Sequence, residues 1–292
     1  MKIKYPSDET QKRYKDIIVL LAKKAKDVDE KEYMSANLYF QGKMQVNSSS
    51  DIISELEDMR RSIIKATDIL DQQSQISEKM KIKLRLLLYC HIIEAYPLYI
   101  YLYNLIEIAN GKSYNLYIFG DPKIPLKTID FEKELEQITL EGDNKKKLDM
   151  FKKLSSRMQS REISISDKIN MISSKSKKLG IDLASIFNEF YDKDLRNAFA
   201  HNTYVFGDNF INLIFAQKKL LRSELVDKLS RGIYFYDCLF DNAYQELSSL
   251  FDEQERVYKG KNGTLTIKLS KDKKLENCYY ISIKSSSTGR FL

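Results

Sequence analysis

The sequence predicts a mainly α-helical bundle with one short β-hairpin after the helix that ends near residue 200 and a second β-hairpin at the C-terminus. Three observations carry this expectation. Apolar residues recur at helical intervals over several long segments. Two short regions alternate with period two around polar turns. The composition, 43% hydrophobic and 30% charged over 292 residues, is that of a folded chain with enough apolar surface for a core.

The elements follow in order. A Lys-rich helix is expected from about Thr10 to Val28. A second is expected from Asp51 to about Asp71, with Ile52, Leu56, Met59, Ile63 and Ile64 at helical spacing and Ser50 as N-cap. Between them, Asn37 to Gly42 matches a commonly engineered protease cleavage site, except that Ala36 stands where Glu is usual. Whether that segment is natural stays open, and the functional reading begins at Asp51. The stretch from Ser77 to Asn110 is the most apolar. Arg85, His91, Glu94 and Pro97 interrupt it, which argues against a membrane span and for a central bundle helix kinked or broken near Pro97.

A short strand is expected over Tyr114–Phe119, closed by Gly120-Asp121-Pro122. The charged segment from Glu141 to Ser166 contains Lys145, Lys146 and Lys147, a run that reads either as a solvated helix face or as a track for RNA. A polar helix from Ser166 to Leu179 stops at Gly180, a C′ glycine, and the next helix begins beyond it. Tyr204–Phe206 and Phe210–Phe215 flank Gly207-Asp208-Asn209 as a hairpin. A last long helix is expected from about Ser223 to Phe251, then a hairpin of Leu265, Ile267, Leu269 against Tyr279, Ile281, Ile283. The corresponding division is an N-terminal helix and linker over 1–50, a helical domain over 51–255 and a β-hairpin appendage over 256–292.

Chemistry concentrates at Leu195-Arg196-Asn197-Ala198-Phe199-Ala200-His201-Asn202. A histidine exchanges protons near neutral pH without tuning, and an arginine stabilises charge on a phosphate in bidentate fashion. Arg196 and His201 therefore form a candidate RNA-cleaving pair, with Asn197 beside them. On an ideal helix a spacing of five places the two roughly 140° apart. A site that uses both requires the helix to end near His201, or a second copy to bring its own motif across an interface. The plainer alternative makes Asp192 and Arg196 an exposed i,i+4 ion pair and His201 a helix-end cation. His91 and Glu94, three apart on the apolar helix, are either a buried hydrogen-bonded pair or a supporting contribution to the site, and Tyr204 stands just beyond the motif.

At these residues the chain resembles the HEPN superfamily of helical ribonuclease and nucleotide-binding domains, whose signature is Arg, four to six residues, then His, often with Asn after the Arg. Arg196, Asn197 and His201 carry the match, over about Asp51 to Leu250, and the wording is most similar to the abortive-infection type. The resemblance implies a helical bundle that dimerises so that both motifs line one cleft, and cofactor-free, metal-independent endoribonuclease activity. The settings it implies are toxin–antitoxin pairs or phage defence, with RNA as substrate and an antitoxin or defence protein as possible partner. Several such domains bind RNA or proteins without cutting, so a non-catalytic binding module is the competing expectation. The branch with Tyr two residues after the His departs here: Thr203 occupies that place and Tyr204 follows.

The remaining composition narrows the field. A net charge of +7 and a pI near 9.0 suit a polyanionic partner. Cys90, Cys238 and Cys278 form no CxxC pair, which favours a reducing compartment and disfavours zinc. Lys2, Lys4, Asp8 and Glu9 interrupt any N-terminal apolar run, so the cytoplasm is the expected location. No GxxxxGK[ST] loop, GxGxxG fingerprint or HExxH pair is present.

Overall fold

The computed structural model describes residues 5–40, 77–115, 119, 137–138, 140–143, 145–150, 163–207, 209–248, 255–271 and 279–286. The expected helix from Asp51 to Asp71 and most of the expected strand at 114–119 lie outside them; Tyr114 and Asn115 are in neither helix nor strand. The helices are α1 (Asp8–Val28), α2 (Glu30–Phe40), α3 (Glu78–Ile93), α4 (Tyr96–Ala109), α5 (Ile165–Lys178), α6 (Leu183–Phe190), α7 (Lys193–Ala200) and α8 (Arg222–Ser248). The strands are β1 (Tyr204–Phe206), β2 (Phe210–Leu213), β3 (Lys218–Leu221), β4 (Glu255–Gly260), β5 (Gly263–Lys271) and β6 (Tyr279–Ser286). Among the described residues the protein is mainly helical, with two small antiparallel sheets.

Helix α4 is buried on every side from Pro97 through Ile108, and its two polar residues there, Asn104 and Glu107, are hydrogen-bonded. That is the signature of a helix surrounded by others. It packs against α1, α2 and α5, while α8 packs against α1, α2, α3 and α6. The apolar stretch that raised the question of a membrane span, Lys79–Ala109, contains an 18-residue window with a mean hydropathy of 1.2, and 67% of that window is buried inside the protein. Helix α3 begins on the cap of Ser77, whose Oγ accepts from Met80 N, and the chain breaks at Glu94–Ala95 with Pro97 in the first turn of α4. Proline fits there because the N–H it lacks has no intrahelical partner at that position.

The N-terminal helices belong to the same core. Tyr14, Ile18 and Leu21 of α1 and Tyr33, Ala36 and Phe40 of α2 join one cluster with α3, α4, α6 and α8. Asn37 to Phe40, the described part of the segment resembling a protease site, lies in α2. Asn37 Oδ1 accepts from Tyr101 Oη (2.7 Å), and Phe40 stacks on Tyr101 with ring centroids 4.3 Å apart.

Each expected hairpin is one strand larger. The order β1-β2-β3 replaces the first, because the second strand ends at Leu213; Ile214–Gln217 form a turn and β3 returns from Lys218 to Leu221. Buried Ile211, Leu213 and Leu220 hold this sheet against α7 and α8. The C-terminal sheet has the order β4-β5-β6, and β4 docks on α2. There Asp29 Oδ2 accepts from Lys261 N (3.0 Å), and a Cβ on Gly260 would stand 2.5 Å from Asp29 Oδ1, so only glycine allows the approach without a shift.

Candidate active site

The expected single helix through the motif is two. Its apolar spacing continues from Leu183 to Ala198, but Asp192 caps a new helix by accepting from Leu195 N (3.1 Å), and Tyr191 is extended. Tyr89 of α3 fixes the junction from inside the core: its hydroxyl donates to Phe190 O (2.9 Å) and accepts from Asp192 N (2.7 Å). Asp192 is therefore not half of an exposed pair with Arg196. Its carboxylate is 5% exposed and meets Lys218 Nζ at 2.7 Å and Lys228 Nζ at 3.7 Å. Burial pushes the Asp192 carboxyl up, but the hydrogen bonds from Lys218 and Leu195 and the two ammonium charges outweigh it and hold it below the ordinary carboxylate range.

The other end of α7 is equally defined. His201 is the C-cap, and Asn202 follows in the left-handed region with φ 53°. Asn202 N donates to Phe199 O and Thr203 N to Ala198 O, the paired bonds of a Schellman stop with asparagine at the position glycine usually holds. The same pairing ends α5, where Gly180 (φ 73°) takes that position, as its place in the sequence predicts.

Because α7 stops there, His201 is exposed beyond the last turn and does not follow Ala198 into the core. It lines a cleft of about 200 Å³ with Asp194, Asn197 and Ala198 of α7. These four are spaced i, i+3, i+4, i+7, one face of the helix. Thr203 and, from the β2–β3 turn, Phe215 and Ala216 complete the lining. Ile214 N donates to Thr203 O (3.0 Å), which ties that turn to the cleft wall.

Arg196 does not line this cleft. Its Nε donates to Glu94 Oε1 at 3.0 Å and its Nη1 to Asn197 Oδ1 at 3.2 Å. Asn197 therefore reaches both the arginine and the cleft. Glu94, expected either to pair with His91 in a buried hydrogen bond or to support the site, pairs with Arg196. His91 and Glu94 are both exposed, not a buried pair, and His91 is not part of the cleft wall. Tyr204, in β1, does not line the cleft either and is stacked on Phe199 with centroids 6.1 Å apart; burial, with Cys90 nearby, raises its hydroxyl pKa. Burial also pushes the Cys90 thiol up to about 12, with Glu94 adding to the shift and Arg196 opposing it. A thiol so raised is protonated at neutral pH and is no nucleophile.

Lys145 and Lys146 are exposed, Lys147 is half-buried, and none of them lines the cleft. Asp143 Oδ1 accepts from the N–H groups of Lys145 and Lys146. Among the described residues, no group of three or more His, Cys, Asp or Glu is placed to hold a metal ion. Asp194 was within reach of sequence reasoning, since it shares the helical face of Asn197 and His201. Phe215 was not, because the β-pattern runs through it without a break. Compared with protein families, curated proteins and solved structures, the chain matches none.

Proposed function

We propose that the protein is a metal-independent endoribonuclease of the HEPN type that works as a two-fold dimer in the cytoplasm, in a toxin or phage-defence setting with an antitoxin or other defence protein as partner. One observation carries the reading: His201 and Asn197 share a cleft, and Asn197 holds the guanidinium of Arg196 at 3.2 Å. Within one chain Arg196 stays outside the cleft that His201 lines, so the reading needs the second copy to bring its own motif to the phosphate. His201 removes the ribose 2′-hydroxyl proton, the 2′-oxygen attacks the adjacent phosphorus, and the bond to the 5′-oxygen breaks to leave a cyclic phosphate. Arg196 stabilises the phosphoryl oxygens. Asn197 positions Arg196, and His201 of a second copy protonates the leaving oxygen. Lys145, Lys146 and Lys147 add non-specific affinity for the RNA backbone.

The test is chelator-insensitive cleavage of bulk RNA by the purified protein. Arg196→Ala and His201→Ala should each abolish it with the melting temperature unchanged. No cleavage by wild type, or cleavage surviving either substitution, overturns the assignment. A second reading, a non-catalytic module that binds RNA or a partner through the same cleft, is favoured by the ion pair that keeps Arg196 on Glu94. It requires binding without turnover.

A further inference from the structure

The lining of the His201 cleft contains a feature that phosphate chemistry does not use. Phe215 is 82% exposed at the cleft edge, on a turn held against the motif by the Ile214–Thr203 bond. Opposite chemistry comes from Asp194, whose side chain is 53% exposed and has Lys218 Nζ no closer than 4.0 Å. A carboxylate so weakly compensated repels a phosphate. It accepts hydrogen bonds from amino groups instead. Asn197, its oxygen engaged by Arg196, offers the cleft an N–H donor.

An aromatic face, an anionic acceptor and an amide donor in one small cleft are the complement of a nucleobase that carries an exocyclic amino group. We propose that Phe215 and Asp194 form a nucleobase subsite: the base next to the scissile phosphate stacks on Phe215 and donates its amino group to Asp194. Cytosine, adenine and guanine have that donor, and uracil has none. The proposal rests on the ribonuclease reading and adds to it a base preference set by residues outside the Arg-His motif. A second copy of the chain seated on Phe215 is the other occupant, and the dimer mass of Phe215→Ala separates it from a base.

The chain contains no tryptophan, so Phe215→Trp introduces a single fluorophore at the subsite. Its emission should be quenched on titration with short 2′-deoxy oligonucleotides of C or A, which cannot be cleaved for want of the attacking hydroxyl. Quenching by the U oligomer should need a higher concentration. Phe215→Ala should weaken binding of the C oligomer by about 5- to 150-fold, the range seen when a base loses an aromatic partner. Asp194→Asn should reduce the preference for C over U while keeping the stacking signal. Unchanged affinity in Phe215→Ala, or equal C and U affinity in wild type, overturns the subsite and leaves the ribonuclease reading standing if bulk RNA is still cut. Loss of dimer mass by light scattering in Phe215→Ala overturns it in favour of an inter-chain contact. Absence of both oligonucleotide binding and RNA cleavage in wild type overturns both readings.

Discussion

Arg196 Nε lies 3.0 Å from Glu94 Oε1, so the arginine of the motif is anchored on the C-cap residue of α3 while His201 faces a cleft that the arginine does not line. The pair is open to solvent, with Arg196 32% and Glu94 45% exposed. Exposed ion pairs contribute at most about 1 kcal/mol, because water screens the charges and the side chains lose freedom. A phosphate, which accepts two parallel bonds from a guanidinium, outcompetes such a partner. Glu94→Gln should therefore strengthen RNA binding by up to about five-fold and move the melting temperature by no more than a few degrees. Weaker binding in this variant would mean that Glu94 orients Arg196 for the substrate and does not compete with it.

Asn202 tests whether the end of α7 sets the position of His201. Its φ of 53° is accessible to glycine and asparagine and costs other residues, β-branched ones most. Asn202→Gly should leave stability and cleavage close to wild type. Asn202→Val should cost about 1–2 kcal/mol in denaturant melts and reduce cleavage by a larger factor than Asn202→Gly, since the adjoining histidine moves with the backbone. Equal activity in the two variants would show that the Schellman stop does not position His201.

How much of this was legible depends on where each determinant lies in the chain. Ser77, Pro97 and Gly180 act through their own backbone and immediate neighbours, so the start of α3, the break before α4 and the stop of α5 could be read directly. The break at Asp192 could not, because the apolar period continues across it and the groups that stabilise the cap, Tyr89, Lys218 and Lys228, come from distant elements. The additional strands β3 and β4 were hidden for a related reason: Lys218-Lys219-Leu220-Leu221 and the Arg256-Val257-Tyr258 stretch do not alternate cleanly until their partners define which side is buried. At the site, residue types marked Arg196, Asn197 and His201, but only the fold places Glu94 on the arginine and Phe215 beside the histidine.

Assembly is the next test. Within one chain Arg196 and His201 do not share the cleft; the proposed two-fold dimer is the arrangement that would bring both residue types to one phosphate. Light scattering should give twice the 34.2 kDa chain mass at micromolar concentration. A strict monomer that still cleaves RNA would require Arg196 to swing from Glu94 into its own cleft.

Asp192 links acid stability to the integrity of the motif helix. Its carboxyl is held below the ordinary value of about 3.9 by Lys218, Leu195 N and Lys228 despite the opposing effect of burial. A depressed carboxylate contributes stability that is fully present above the unfolded-state value and is lost as pH falls through the folded-state value. The contribution should therefore persist at neutral pH, begin to fall below about pH 4 and be lost as the pH drops through the lower folded-state value. Asp192→Asn keeps an oxygen to cap Leu195 N but removes the charge facing Lys218 and Lys228, which are 41% and 19% exposed and so partly rehydrate. The expected cost at pH 7 is about 1–3 kcal/mol, below that of breaking a fully buried pair. Chemical denaturation of wild type and Asp192→Asn from pH 7 to pH 3 should show the gap closing on acidification. A gap that stays constant over that range would show that the ion pair contributes nothing and that the substitution acts through packing alone.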